Sequence, residues 1–289
     1  MLVSAYLQDW LDTYIIPVKA PSTAACYRRA LSVLPPSVLS APLAAVSPMA
    51  IQRAINLKAR QHPRAAQLTY AVLHAAMARA VKLGLIPRNP LDLCDKPAHK
   101  PARALILDPQ QIHAYLVQAA ASPSYALLLV MLLCGLRRSE ALGLQWADLD
   151  LDRLVLHVRR QRLHGQPCPL KTDKSRRDIA LAAPVAAELA RVRSAQQVRS
   201  YHGWVCDVTP DRLRRDHMAV LARAGLPPVT LHGLRHSMAT GAILAGCPLK
   251  VLQCVLGHSK MQLTADLYAD HLAYTAQVQP LGAYAVSVM

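Results

Sequence analysis

The C-terminal part of the chain contains a set of residues that could act on a phosphate ester. His232 and Arg235 stand in Leu-His-Gly-Leu-Arg-His, His258 follows in Leu-Gly-His, and Tyr268 comes ten residues later. An arginine suits a phosphate because its planar guanidinium donates two parallel hydrogen bonds and keeps its charge. A histidine can transfer a proton near neutral pH, and a tyrosine hydroxyl becomes a nucleophile when a base and positive charge assist it. These residue types indicate attack by a tyrosine on a phosphodiester.

His232 and Arg235 are three residues apart, so on one helix their side chains project from the same face. We predict a helix that begins at Thr230, whose hydroxyl can cap the first turn. Arg235 would then bind a phosphate oxygen, and His232 would act as a general base or hydrogen-bond partner. Because a His-x-x-Arg pair is weak support by itself, the assignment depends on the other residues.

The same helix allows a metal interpretation, because His232 and His236 are four residues apart, which is the spacing of a zinc-binding helix. Gly233, however, stands where the metalloprotease motif has its glutamate, and no third ligand is evident nearby. We therefore predict no metal here and interpret His236 as a packing residue or as a residue that supports its neighbours.

A further arginine candidate lies upstream, in Gly-Leu-Arg-Arg-Ser-Glu-Ala-Leu-Gly-Leu-Gln-Trp. Arg137 follows an apolar stretch and Gly135, and Glu140 lies three residues on. At that spacing the carboxylate can orient the guanidinium through paired hydrogen bonds. The alternative is a surface arginine beside a helix end.

In their order along the chain, the segments that contain Arg137, His232 with Arg235, His258 and Tyr268 resemble the signature of the tyrosine recombinases, the phage-integrase family. The resemblance covers nearly the whole chain. It implies that Arg137 rather than Arg138 is the first catalytic arginine, and that Arg138 contacts the DNA backbone or solvent. It also implies that Tyr268, in Leu-Tyr-Ala-Asp-His, is the nucleophile, since the rivals Tyr274 and Tyr284 lack this context. The implied catalytic residues are Arg137, Lys171, His232, Arg235, His258 and Tyr268.

Lys171 lies in Pro-Leu-Lys-Thr-Asp-Lys-Ser-Arg-Arg, which we interpret as a hairpin turn between two strands. The resemblance implies that a lysine on such a hairpin protonates the departing 5′ oxygen, with Lys174 as the alternative. A charge-rich turn is more often simply solvated, so this role depends on the resemblance.

The implied reaction forms a 3′-phosphotyrosyl enzyme, which a 5′ hydroxyl from a partner strand can reseal without ATP. The sequence has no Gly-x-x-x-x-Gly-Lys-Ser/Thr loop and no carboxylate cluster typical of two-metal catalysis. We expect neither a cofactor nor a metal.

The charge of the chain favours a polyanion partner. Lys and Arg number 33 against 17 Asp and Glu, so the formal net charge is +16. The longest apolar run, Tyr125 to Leu136, is shorter than the roughly 20 residues of a membrane span, so we expect nucleic acid and no membrane. No signal peptide is evident at Met1, and the seven cysteines are scattered. We expect a cytoplasmic, nucleoid-associated protein.

A Pro- and Lys-rich stretch at 96–104 predicts a linker between two domains. The resemblance implies that residues 1–95 form a helical core-binding (SAM-like) domain, and residues 105–289 a mixed α/β (α+β) catalytic domain with a C-terminal tail. The predicted fold is therefore mainly α with a small antiparallel β-sheet, whose strands lie at 154–158 and 177–181. Nine basic residues of the first domain could face DNA or could form an ordinary solvated surface: Arg28, Arg29, Arg53, Lys58, Arg60, Arg64, Arg79, Lys82 and Arg88.

The resemblance implies double-stranded DNA with inverted-repeat core sites as the partner, bound by a homo-tetramer. The apolar tail from Leu281 to Met289 could dock on a neighbouring protomer. Because Met1 leaves no room for an arm-binding domain before it, we do not expect regulated integration at accessory sites. A prophage or mobile-element integrase is the first interpretation. A Xer-like chromosome-dimer resolvase, a type IB topoisomerase and a catalytically idle DNA-binding protein stay open as alternatives.

Overall fold

A computed structural model describes residues 1–99, 104–170, 172, 175–196 and 202–257. The chain forms two compact units, Met1–Ala102 and Arg103–Met289. The predicted fold class is confirmed, because helices dominate and the described strands form small antiparallel sheets. None of the helices in the described ranges has both the length and the apolar character needed to cross a membrane.

The first unit is helical in its described part. Its helices are α1 Val3–Trp10, which continues in a π-helical turn Leu11–Ile15, α2 Pro21–Ser32, α3 Pro36–Leu39, α4 Pro48–Gln61 and α5 Pro63–Lys82. Proline in the first turn of α2, α4 and α5 suits a helix start, because the N–H that it lacks has no partner there. Ile51 and Ile55 of α4 pack with Leu73 and Met77 of α5 in the core.

The surface of this unit is strongly basic. Residues 1–102 contain twelve Lys and Arg and only four acidic residues, all Asp. Eight of the nine basic residues singled out above are exposed and Lys58 is partly exposed. None of the nine forms an ion pair with a carboxylate within the described part of the chain, so the charge is left for a partner.

The second unit packs helices around the buried helix α7. Its helices are α6 Pro109–Ala119, α7 Tyr125–Leu133, α8 Arg138–Leu142, α9 Ala183–Ala195, α10 Pro210–Arg223, α11 Leu231–Leu244 and α12 Leu249–Leu256. Every residue of α7 except the last is buried. As predicted, Thr230 caps α11, since its hydroxyl accepts a hydrogen bond from the Gly233 N–H at 3.0 Å.

Two antiparallel sheets flank these helices. The strands are β1 Leu149–Asp150, β2 Val155–Val158, β3 Gln161–Leu163, β4 Gln166–Cys168 and β5 Arg177–Ala180. The first sheet has the order β1-β2-β5, with Leu156 opposite Ile179, and the second is the β3–β4 hairpin. The strands predicted at 154–158 and 177–181 correspond to β2 and β5.

The predicted hairpin turn around Lys171 is wrong in one respect. The described strands on either side of that segment, β4 and β5, do not pair with each other but belong to different sheets. The hairpin of this region is β3–β4, whose turn residues His164 and Gly165 both have positive φ, 49° and 79°. Positive φ at both central residues suits the tight turn of a two-residue hairpin.

Candidate phosphate-binding site

Three arginines from three different elements surround the C-terminal end of α12. Arg137 precedes α8, Arg177 begins β5, and Arg235 lies in the second turn of α11. They donate hydrogen bonds to three successive backbone carbonyls. Arg177 Nε binds the Val255 oxygen at 2.5 Å, Arg235 Nη2 binds the Leu256 oxygen at 2.6 Å, and Arg137 Nη2 binds the Gly257 oxygen at 2.9 Å.

The end of a helix is a natural place for this arrangement. The last carbonyls of an α-helix have no partner within the helix, and the partial negative charge of the helix dipole is located there. Gly257 ends α12 with a φ of +61°, a conformation that glycine adopts most easily. A Cβ at this position would lie 3.1 Å from Arg177 Nη1. The glycine therefore allows the chain to turn while Arg177 stays close.

Glu140 joins two of the arginines. Its Oε1 accepts from Arg137 Nη1 at 2.7 Å, and its Oε2 accepts from Arg177 Nη2 at 2.9 Å and from the Arg137 backbone N–H at 3.0 Å. Burial alone would raise the pKa of this carboxyl, which is only 3% exposed, but the hydrogen bonds and charges of Arg177 and Arg137 lower it below its ordinary value. Glu140 is therefore ionised, and the predicted orientation of Arg137 by Glu140 is present in the structure.

The cluster carries more positive than negative charge. Three guanidinium groups face one carboxylate, which leaves two positive charges unbalanced among the described residues. Burial and the charges of Arg137 and Arg177 lower the pKa of Arg235 to about 9, and Glu140 only partly opposes this shift. Arg235 is still charged at neutral pH. Because like charges repel strongly where water is excluded, an anion placed between them would be bound favourably.

The hydrogen bonds separate the roles of the three arginines. A guanidinium has five N–H donors. Arg235 uses two, one to the Leu256 oxygen and one to the Gly135 oxygen at 2.6 Å, and Arg137 also uses two. Arg177 uses three, including one to the Ser175 oxygen. Arg137 and Arg235 thus keep donors for a phosphate, and Arg177 holds Glu140 and α12 in place.

Arg177 is the residue of this cluster that the sequence reasoning missed. The strand around it was predicted, but Arg177 was treated as part of a charged turn. Its position two residues before the apolar Ile179 could have shown this, because residues two apart on a strand share a face. A charged residue on the buried face of a sheet requires a partner, and here that partner is Glu140.

His232 lies beside the cluster on α11. Its side chain reaches solvent, and its ring stands perpendicular to that of His236 with the centroids 4.5 Å apart. Partial desolvation, the neighbouring His236 and the positive charges of Arg235 and Arg137 lower the pKa of His232 to about 4. The ring is therefore neutral at physiological pH and can accept a proton or a hydrogen bond.

The lowered pKa values of His232 and His217 determine how stability should depend on pH. Burial lowers the pKa of the His217 ring as well, so both rings bind protons less readily in the folded chain than in the unfolded chain. Protonation then favours unfolding, and the free energy of unfolding should be highest above about pH 6.5. It should fall as the pH is lowered towards about 4, the pKa of His232. Urea unfolding at several pH values, with His232→Gln as the comparison, measures this dependence. An equally steep fall in the variant would contradict the assignment.

Gly135 accepts a hydrogen bond from Arg235, and a side chain at this position would strain the backbone and displace Met238. Its φ is +67°, and a Cβ would lie 2.1 Å from Met238 Cε and 3.1 Å from Leu256 Cδ2. We expect Gly135→Ala to lower the free energy of unfolding by about 2–4 kcal/mol, which combines backbone strain with overpacking. Gly225→Ala is the control, since Gly225 also has positive φ but open space around it. Equal losses in urea unfolding would show that only the backbone strain matters.

Three of the six predicted catalytic residues, Arg137, His232 and Arg235, are brought together by the described structure. Lys171, His258 and Tyr268 lie outside the described residues, as does the alternative Lys174. His258 directly follows Gly257 in the sequence. Within the described ranges, no three His, Cys, Asp or Glu side chains lie together in a way that could hold a metal ion.

Comparisons with known proteins agree with this fold. The family model described as "Phage integrase family" matches residues 106–274, so the chain belongs to that family. It is 28% identical to a "Tyrosine recombinase XerC-like" protein of Caldanaerobacter subterraneus over 50% of this chain, and spans only 44% of that relative's length. It is 28% identical to the tyrosine recombinase XerD of Xanthomonas axonopodis over 72% of each chain, and 25% identical to the integrase of Salmonella phage P22 over 67% of this chain and 51% of that protein.

Solved structures show the same fold. The Tn1549 transposon integrase in complex with circular intermediate DNA has a TM-score of 0.78 at 20% identity, covering 92% of this chain and 95% of that chain. A lambda integrase tetramer bound to a Holliday junction has a TM-score of 0.73 at 17% identity, covering 92% and 77%. At these identities the likeness concerns the fold.

Proposed function

We propose that the protein is a site-specific DNA recombinase that cleaves and rejoins strands through a 3′-phosphotyrosyl intermediate. The observation that carries this proposal is the cluster of three arginines around a single buried carboxylate, which favours an anion with the shape of a phosphodiester. Membership of the phage integrase family supports it, and so do the names of the relatives, which are recombinases and integrases.

In the proposed reaction, the Tyr268 oxygen forms a bond to phosphorus while the bond from phosphorus to the 5′ oxygen breaks. Negative charge grows on the non-bridging oxygens, where Arg137 and Arg235 donate hydrogen bonds from fixed positions. His232, neutral in the free protein, accepts the tyrosine proton, and His258 adds a hydrogen bond. Lys171 gives a proton to the departing 5′ oxygen. A 5′ hydroxyl reverses these steps and releases Tyr268.

DNA recognition is assigned to both units. Residues 1–95 form the proposed core-binding domain, whose unpaired basic residues would contact the phosphate backbone, a part of the interface that gives affinity rather than sequence information. Residues 105–289 form the proposed catalytic domain, joined through a linker at 96–104. Assembly as a homo-tetramer on inverted-repeat core sites, with the C-terminal tail as one contact between protomers, is part of the same proposal.

A prophage or mobile-element integrase is the proposed biological role, and the likeness to the P22 integrase supports it. A Xer-like resolvase is the second candidate, since relatives named XerC and XerD match the chain equally well. Mapping the DNA junctions that the protein produces in cells separates the two. Junctions between an element and the chromosome indicate an integrase, and resolution at one chromosomal site indicates a resolvase.

The activity is tested by searching for a covalent protein–DNA adduct on denaturing gels. The substrate is supercoiled plasmid that carries the DNA flanking the gene, and wild type is compared with Tyr268→Phe and with the matched control Tyr274→Phe. We expect an adduct with wild type and with the control, but not with Tyr268→Phe. An adduct that survives Tyr268→Phe would move the nucleophile elsewhere. Adducts on any plasmid, without sequence preference, would favour a topoisomerase.

A further inference from the structure

A cavity of about 450 Å³ lies beside the arginine cluster, at the junction of α10 and α11. His232 lines it, and so does Arg138, the residue after Arg137. The cavity is therefore adjacent to the proposed phosphate site. Its size falls within the range of about 300–1,000 Å³ that is typical of small-ligand sites.

The charged side chains that line this cavity in the described part of the chain are basic. Arg138 and Arg214 line it together with His232, and none of the described acidic residues does. Both arginines are exposed, and neither has a carboxylate partner within the part of the chain that the structure describes. Arg212 on the same helix, in contrast, forms an ion pair with Asp216 at 2.7 Å. Arg138 and Arg214 are thus available to bind an anion.

Most of the remaining cavity wall is apolar, and hydrogen bonds of His217 hold it in place. Met218, Pro228 and Val229 contribute to it, beside the buried His217. One ring nitrogen of His217 contacts the Tyr115 hydroxyl at 2.7 Å, and the other contacts the Val229 carbonyl oxygen at 2.7 Å. Because burial lowers the pKa of His217, the ring is neutral, donates to Val229 and accepts from Tyr115. These two bonds tie α6 and α10 to the segment that precedes α11.

We propose that this cavity binds the nucleotide next to the scissile phosphate on the cleaved strand. Its phosphate would lie between Arg138 and Arg214, and its deoxyribose would pack on the apolar wall. A site with basic groups on one side and an apolar surface on the other matches a sugar phosphate in both respects. The proposal rests on the function proposed above, and it assigns to Arg138 and Arg214 the positioning of the DNA strand for attack.

The test uses short duplexes that contain the cleavage site mapped by the adduct assay. Each carries one uncharged methylphosphonate in place of a phosphate, at one of the positions that flank the scissile bond. Rates of adduct formation are measured for wild type, Arg214→Ala and Arg215→Ala. Arg215 is the matched control, because it is the next residue on α10, is also exposed, and does not line the cavity.

At one flanking position, we expect the methylphosphonate to slow adduct formation by wild type and by Arg215→Ala. At that position it should leave the already reduced rate of Arg214→Ala unchanged. In parallel, Arg214→Ala should reduce the slope of log affinity against log salt by about 0.9, the value for one lost phosphate contact. If Arg214→Ala and the methylphosphonate reduced the rate of adduct formation independently at every position, the proposed subsite would be wrong, while the proposed function would stand. Absence of any adduct with wild type on the flanking DNA, while binding is retained, would overturn the proposed function and the subsite together.

Discussion

Replacing Arg235 with lysine is expected to slow the formation of the covalent adduct by about 10²–10³-fold, the usual cost of losing one fixed donor to a developing oxyanion. Lysine keeps the charge, but it lacks the planar fork that joins the Gly135 and Leu256 carbonyl oxygens at 2.6 Å each. A single ammonium group cannot bind both carbonyls and also present two parallel donors to a phosphate. The loss should therefore appear in the chemical step rather than in DNA affinity.

Single-turnover rates on a saturating DNA substrate separate these two effects. Arg223→Lys is the matched control, since Arg223 also donates a hydrogen bond to a backbone carbonyl, that of Gln118, but lies away from the cluster. Thermal unfolding verifies that each variant is folded. A rate for Arg235→Lys within a few-fold of wild type would show that positive charge alone is enough. The role assigned to Arg235, as a fixed hydrogen-bond donor to the phosphate, would then be wrong.

Replacing Glu140 with glutamine is expected to lower the free energy of unfolding by about 3–5 kcal/mol, the cost of breaking a buried ion pair from one side. The amide keeps the shape of the carboxylate, but among the described residues it removes the only negative charge in contact with Arg137 and Arg177. Three guanidinium groups would then repel one another with no carboxylate between them. We also expect the adduct to be lost, because Arg137 would no longer be oriented.

Urea unfolding at neutral pH measures the stability change. Asp178→Asn is the control, since Asp178 pairs with Arg159 at 2.7 Å while its side chain is 54% exposed, and this pair should contribute at most about 1 kcal/mol. Sulfate, which can bind among the arginines as an anion, should restore stability to Glu140→Gln more than to the control. Equal losses in the two variants would mean that Glu140 is no more important than a surface ion pair.

Local spacing in the sequence predicted much of the site. The pairing of Arg137 with Glu140 followed from three-residue spacing, and the cap of α11 followed from the hydroxyl of Thr230. Both are contacts between residues close in sequence, where helix geometry alone decides the neighbours. The location of His232 and Arg235 on one helix followed in the same way.

Contacts between distant segments could not be predicted. Three arginines meet at the end of α12 only after α8, β5 and α11 have packed, so no local pattern shows it. Helical spacing also gave no information on burial: Arg235 is 2% exposed, whereas His232, three residues earlier, reaches solvent. The β3–β4 hairpin was missed because its strands are short and polar and lack the alternation that marks a half-buried strand.

The central claim is that Tyr268 attacks a DNA phosphate held by Arg137 and Arg235. The most direct test is to isolate the wild-type adduct, digest it with protease and nuclease, and identify the nucleotide-linked peptide by mass spectrometry. We expect one modified peptide, with a 3′-phosphate of the DNA joined to the oxygen of Tyr268. A phosphate linked to Tyr274, Tyr284 or a serine, or joined through a 5′ end, would contradict the account.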